Sequence, residues 1–136
     1  RWVVQSASAK FAADVDLPPG LVCSGSSGQL QQVMMNLVQN ACDATARQPD
    51  ARLTVSGSYA GGMVVLRFAD NGPGIAEENL GRLFEPFFTT KPVGQGTGLG
   101  LSISYGIVER HGGKLSARNL PTGGAEFELS LPVESR

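Results

Sequence analysis

The sequence predicts a two-layer α/β sandwich, in which helices cover one face of a mixed but largely antiparallel sheet. Three observations carry that expectation. Residues 29–47 and 98–111 place apolar side chains at helical spacing, so each segment needs a surface to bury one stripe against. Residues 53–70 alternate with period two around a glycine turn, the signature of a β-hairpin. A second alternating run, Ala125, Phe127, Leu129 and Leu131, follows another turn, so strands come in neighbouring pairs and antiparallel pairing dominates.

Taken in order, the chain opens with short β-prone pieces at Trp2 to Val4, Lys10 to Val15 and Leu21 to Cys23, broken by Pro18, Pro19 and Gly20. These read as edge strands or a hairpin. Ser24 to Gly28 is a polar loop in which Ser26 or Ser27 caps a long helix from Gln29 to Arg47. Its core stripe is Leu30, Val33, Met34, Leu37, Ala41 and Ala44, with Asn36 and Asn40 one turn apart at the border. Pro49 closes that region. Leu53, Val55, Gly57 and Tyr59 then form a strand, Ala60 to Gly62 turn it, and a second strand ends at Asp70. Ala76 to Leu83 is a short helical segment, followed by an aromatic stretch from Phe84 to Lys91 and a glycine-rich lid, roughly Phe88 to Gly96. A second helix runs from Gly98 to His111 and stops at Gly112 and Gly113. Lys114 to Asn119 is a strand, Pro121 to Gly124 a turn, and the last strand runs to Pro132 with Glu126, Glu128 and Ser130 on its wet face.

Composition narrows the functional classes. The 136 residues, 41% hydrophobic and 17% charged, suit one domain, residues 1–136, with its own core. A net charge of −1 and no basic run interleaved with aromatics argue against nucleic acid. No apolar stretch approaches a membrane span, so no direct membrane contact is expected. Cys23 and Cys42 lack metal-ligand spacing and read as buried thiols in a reducing cytoplasm. A chain that begins at Arg1 without Met and stops in a polar tail reads as part of a larger protein.

The chemistry concentrates between Asp70 and Leu101. Period two puts Leu66, Phe68 and Asp70 on one face of a strand, so a carboxylate faces the core and requires a partner. The glycines after it open space instead of filling it, and a ligand is one candidate for that partner. At the far end, Gly96, Thr97, Gly98, Leu99, Gly100 and Leu101 lead into a helix, where free backbone N–H groups suit polyphosphate. Asn36 and Asn40 interrupt a helix otherwise made of good formers. Their amides offer a carbonyl for a hard cation such as Mg²⁺ and an NH₂ for a phosphate oxygen. Taken alone, DNGPG is equally a turn, and GTGLGL fits neither a P-loop nor a dinucleotide fingerprint.

Together, NLVQNA (Asn36 to Ala41), DNGPG (Asp70 to Gly74), FEPFFTTK (Phe84 to Lys91) and GTGLGL (Gly96 to Leu101) closely resemble four boxes of sensor histidine kinases: asparagine, first glycine, phenylalanine and second glycine. The order is the same, and the resemblance spans nearly the whole chain. It is strongest to the nitrogen- and dicarboxylate-sensing subgroup and implies the Bergerat fold shared with gyrase, mismatch-repair and heat-shock ATPases.

The resemblance implies ATP and Mg²⁺ as cofactors and gives residues their roles. Asp70 matches the carboxylate that accepts the adenine amino hydrogen, with Gly72, Gly74 and Ile75 beside the base. Asn40 matches the Mg²⁺ ligand and Asn36 its companion near the phosphates. Lys91 and Thr97 match lid residues at the phosphates, and Gly96 to Leu101 the backbone that holds them. The F-box phenylalanines resemble those that dock on the helical hairpin carrying the phosphoacceptor histidine. Asp43 stands where many relatives carry a lysine, and no phosphoacceptor box is present; His111 matches a helix-ending residue.

The implied activity is γ-phosphate transfer to a histidine on a separate dimerisation domain of the same protein, with a response regulator downstream. The isolated domain is expected to be a monomer, in the cytoplasm, of a parent that is or is not anchored in the inner membrane. Two other classes compete: an ATPase of the same fold, and a nucleotide-sensing module without catalysis. Hydrolytic relatives are expected to carry a glutamate at the position of Asn36, and an amide cannot take a proton from water.

Overall fold

The computed structural model describes residues 2–5, 10–16, 27–45, 49–88 and 99–132. Among the described residues six strands form one sheet in the order β1-β2-β3-β4-β6-β5: β1 (Trp2–Gln5), β2 (Lys10–Asp16), β3 (Arg52–Ala60), β4 (Met63–Asp70), β5 (Lys114–Asn119) and β6 (Ala125–Pro132). Only β2 and β3 run parallel, joined through the long helix α1 (Ser27–Ala44). Every other neighbouring pair is antiparallel. The expected sandwich is therefore present, and the first two predicted strands form the expected edge hairpin. The proposed strand Leu21 to Cys23, with the prolines before it, lies outside the described residues.

The core forms where α1 and α3 (Gly100–Arg110) press on the sheet. Val33, Leu37, Val108, Leu53, Leu129 and Leu131 are almost wholly buried there, joined by Val64, Leu66 and Phe68 of β4. Alternation places these β4 residues on one face, so β4, flanked by β3 and β6, is the spine of the sheet. Its hairpin partner is reached through Gly61 and Gly62, both at positive φ, the backbone that a two-residue turn needs.

Four expectations are corrected. The long helix ends at Ala44, short of Arg47; the Thr45 N–H and hydroxyl both bond the Ala41 carbonyl, at 3.1 and 2.8 Å, and close its last turn. Ala44 is exposed, not core; its carbonyl overlies the Gly72 loop, while Cys42 and Thr45 are buried instead. The helix predicted over Ala76 to Leu83 is the single turn α2 (Glu77–Leu80), which buries no side chain and stops at Gly81. Glu126, expected on the wet face, is buried, because Arg118 on β5 reaches across the register to it at 3.1 Å. The second helix begins at Gly100; Gly98 lies outside the described residues.

The turn between β5 and β6 touches the end of β4. Gly124, at φ +90°, lies so close to the Asp70 carbonyl that a Cβ could not fit, whereas Gly123 at φ +103° faces open space. Gly124→Ala should therefore lower unfolding free energy by more than 2 kcal/mol, against about 1 kcal/mol for Gly123→Ala, which carries backbone strain alone. Urea denaturation of the two variants measures the difference; equal losses would show that the contact with Asp70 contributes nothing.

Candidate functional site

Asp70 ends β4 with its side chain turned inward and only 5% exposed. Its Oδ1 accepts two backbone N–H groups, from Gly72 at 2.8 Å and from Ala125 at 3.3 Å. Among the described residues no donor reaches Oδ2. Burial pushes the carboxyl above the usual aspartate range, and the two backbone donors partly oppose that shift. Folding thus favours the neutral form. The contribution to stability is greatest below the unfolded carboxylate value and is lost as pH rises through the raised folded one.

The loop after Asp70 is held at both ends by asparagines. Asn71 donates to the Asp50 carbonyl at 2.9 Å and accepts the Arg52 N–H at 2.7 Å, fixing the loop to the start of β3. Asn119 bonds to both backbone groups of Ile75. Between them the chain stays close to the carboxylate because Gly72 has no side chain: a Cβ there would lie 3.0 Å from Asp70 Oδ1 and 3.2 Å from the Ala44 carbonyl. Ile75 packs partly on the core. The sequence reading placed Gly72, Gly74 and Ile75 here but missed Asn119, whose only signal was an asparagine before a turn.

The middle of α1 meets α3. Asn36 Nδ2 donates to the Gly100 carbonyl at 3.2 Å and to Ser104 Oγ at 3.0 Å, so its amide ties the two helices together where α3 begins. The expected donation from this NH₂ to a phosphate is thus met by protein acceptors. Ser104, wholly buried, is a second residue that sequence reasoning missed. Asn40 lies one turn further along the same flank, half-buried, and no described residue bonds its amide. Leu99 and Leu101 flank Gly100 at the start of α3; Lys91, Gly96, Thr97 and Gly98 lie outside the described residues, as does the lid apart from Phe88.

Asp70 and the helix junction therefore stand along one flank of α1. Ala44 lies over Gly72 and Asn36 over Gly100, and the eight-residue step from one to the other spans about 12 Å of helix. That is the scale of a nucleoside triphosphate, with a buried carboxylate at one end, a helix N-terminus at the other and the Asn40 amide between. Asp43, on the same flank, is bonded by Gln39 at 2.9 Å.

The aromatic stretch divides by ring. Phe84 packs into the core, stacked on Tyr105 at 5.1 Å and edge-on to Phe127 at 6.4 Å. The Arg82 guanidinium lies 4.7 Å above Phe88, and Phe87 is 73% exposed with φ at +67°. His111 ends α3, its Nδ1 donating to the Ile107 carbonyl at 2.7 Å, as a helix-ending residue does. Cys42 is buried and free, its thiol pushed up by burial and then by the Asp43 charge.

Residues 25–135 match the family described as histidine kinase-, DNA gyrase B- and HSP90-like ATPase. The chain belongs to this family. It is 45% identical over 132 residues to the two-component sensor PprA of Pseudomonas aeruginosa, covering 91% of this chain and 14% of that protein. To the C4-dicarboxylate transport sensor protein DctB of Rhizobium meliloti it is 43% identical, covering 88% and 19%. The catalytic domain of histidine kinase ThkA superposes with a TM-score of 0.76 at 34% identity, covering 90% of this chain and 78% of that one. The resemblance to sensor histidine kinases and the Bergerat-type sandwich are thus borne out. The chain spans well under a third of the curated relatives it matches, which carry further regions. No helix among the described residues is long and apolar enough to cross a membrane.

The split within the aromatic stretch is open to direct measurement. Phe84→Ala should cost about 3 kcal/mol of stability, as expected for an aromatic ring packed on a core. Phe87→Ala, at an exposed ring, should stay within about 0.5 kcal/mol of the parent. Thermal melts that reverse the order would refute the assignment of Phe84 as the anchor.

Proposed function

We propose that residues 1–136 form a single ATP-binding catalytic domain that passes the γ-phosphate of ATP to a histidine on a separate dimerisation domain of its parent sensor kinase. A response regulator is then the downstream partner. The observation that carries the reading is the placement of two features along α1, the half-satisfied Asp70 carboxylate near Ala44 and the start of α3 at Asn36. In this reading Asp70 Oδ2 accepts the adenine amino hydrogen, and Gly72, Gly74 and Ile75 border the base. Leu99, Gly100 and Leu101, with Gly96, Thr97 and Gly98 before them, offer backbone to the phosphates, and Lys91 adds charge there. Catalysis is then mainly positioning and charge neutralisation, as phosphoryl transfer requires.

Mg²⁺ fits the donor set. The Asn40 amide sits on the same flank of α1 with no partner among the described residues, and its carbonyl offers a hard oxygen ligand, with Asn36 one turn away. Bound there with ATP, the ion would neutralise phosphate charge. Asn36 contributes the other half of the reading: its amide cannot act as general base toward water, which favours transfer over hydrolysis. We further propose a cytoplasmic domain that is monomeric alone and contacts neither nucleic acid nor membrane.

The geometry of Asp70 makes base selection testable. Two N–H groups fix Oδ1 as an acceptor, so Asp70→Asn has one orientation, with its NH₂ facing the base where adenine also presents a donor. ATP affinity should fall at least about tenfold, and the preference over GTP should shrink because guanine offers an acceptor there. In the parent protein, affinity for ATP should also fall as pH drops through the raised Asp70 value, and this dependence should vanish in Asp70→Asn. Calorimetry across pH reads both; unchanged ATP binding by the variant would remove Asp70 from the site.

Transfer and hydrolysis separate in a second experiment. The purified chain with labelled ATP should release almost no phosphate, and adding the helical dimerisation domain of the parent should give label on that partner's histidine, weakly because the two are untethered. Steady phosphate release by the chain alone, abolished by Asn40→Ala, would favour the ATPase.

A further inference from the structure

Asn119 closes β5 at the turn into β6 and belongs to none of the four sequence boxes. Its amide makes two bonds to one residue: the Ile75 N–H donates to Oδ1 at 2.7 Å, and Nδ2 donates to the Ile75 carbonyl at 2.6 Å. The two residues are 44 apart in sequence, so this is a tertiary clamp. Gly74 permits it; at φ +84° it lies so close that a Cβ would come within 2.9 Å of Asn119 Oδ1. Across the ladder Asn119 pairs with Ala125, whose N–H is the second donor to Asp70 Oδ1. One strand end thus fixes both the carboxylate and the loop that faces it.

We propose that Asn119 is a positioning residue for the nucleotide base, setting the gap between the Gly72–Ile75 backbone and the Asp70 carboxylate. The inference rests on the ATP-binding reading and deepens it. Asn119 acts through Ile75 and does not itself touch the base. An amide suits the task because it offers a donor and an acceptor in one plane, matched to the N–H and C=O of a single residue. Asn119 is exposed, so water replaces its bonds when the amide is removed. The loss then falls on the position of the loop more than on folding.

The test measures ADP and GDP affinity in the intact parent protein by competition with a fluorescent ADP analogue, the titration endpoint giving the binding-competent fraction. Asn119→Ala should weaken ADP about tenfold and shrink the preference for ADP over GDP at least about threefold, with the competent fraction unchanged. Asn119→Asp keeps the acceptor but sets a carboxylate oxygen against the Ile75 carbonyl, and should be as weak. Asn119→Ser, with one hydroxyl to share, should recover part of the affinity.

A purely structural role would instead lower the competent fraction while leaving the affinity of the remainder and the ADP/GDP ratio as in the parent, and that result overturns the proposal. If Asn119→Ala does not fold, equal ADP affinity for the Asp and Ser variants overturns it equally. Asp70→Ala, run in parallel, separates the two layers. Retained ADP binding by that variant would bring down the nucleotide reading itself, whereas its loss alongside a normal Asn119→Ala would bring down only the role of Asn119.

Discussion

The hydrogen bonds from Gly72 and Ala125 to a single oxygen of Asp70 are the constraint around which the site is arranged. A carboxylate in a protein interior costs several kcal/mol, by order of magnitude, unless something bonds to it. Backbone donors can supply that only if the chain passes very close. Gly72 and Gly124 allow this, since a Cβ would crowd Asp70 Oδ1 at the first position and could not fit at the second. The donors are far apart in sequence, one directly after β4 and one at the start of β6, so the pairing of β4 with β6 must form before Asp70 is held. Fold and site are therefore not separable here: the register that buries Leu66 and Phe68 also delivers Ala125 to the carboxylate.

The same logic extends along α1. Its buried stripe of Leu30, Val33 and Leu37 fixes the helix on the sheet, which leaves Asn36 and Asn40 along one flank. Asn36 then meets α3 and Ala44 meets the Gly72 loop, so one rigid element sets the distance between the start of α3 and the Asp70 loop. Helix rise is nearly invariant, and it sets the separation more firmly than a loop could.

Much of this was legible in the sequence because the signals were periodic. The strand ending at Asp70, the hairpin turn at Gly61 and Gly62 and the strand from Lys114 to Asn119 follow from alternation and glycine chemistry alone. Errors arose where a periodic pattern says little about where an element stops or what a cross-strand pair buries. α1 stops at Ala44 and α2 at Leu80, short of the ends that periodicity marks, and Arg118 buries Glu126 on a face that alternation marks as wet. Asn119 and Ser104 escaped for a different reason. Their partners lie far away in sequence, at Ile75 and Asn36, and an isolated asparagine or serine carries no periodic mark of a tertiary contact. Motifs made the Asp70 end visible, but not the strand end that holds it.

Asn36 links α1 to α3 through a single amide nitrogen. Its NH₂ donates to the Gly100 carbonyl and to Ser104, both within hydrogen-bond distance of one nitrogen. A carboxylate at this position could give nothing to the Gly100 carbonyl and would set two oxygens against each other beside the start of α3. Ser104 could turn its hydroxyl to donate, but the carbonyl could not. The amide thus serves the packing of α1 on α3, independently of any ligand. A carboxylate at this position would lose the contact that ties the two helices together. An ATPase built on this frame would need a different junction between α1 and α3, not simply a different residue at position 36.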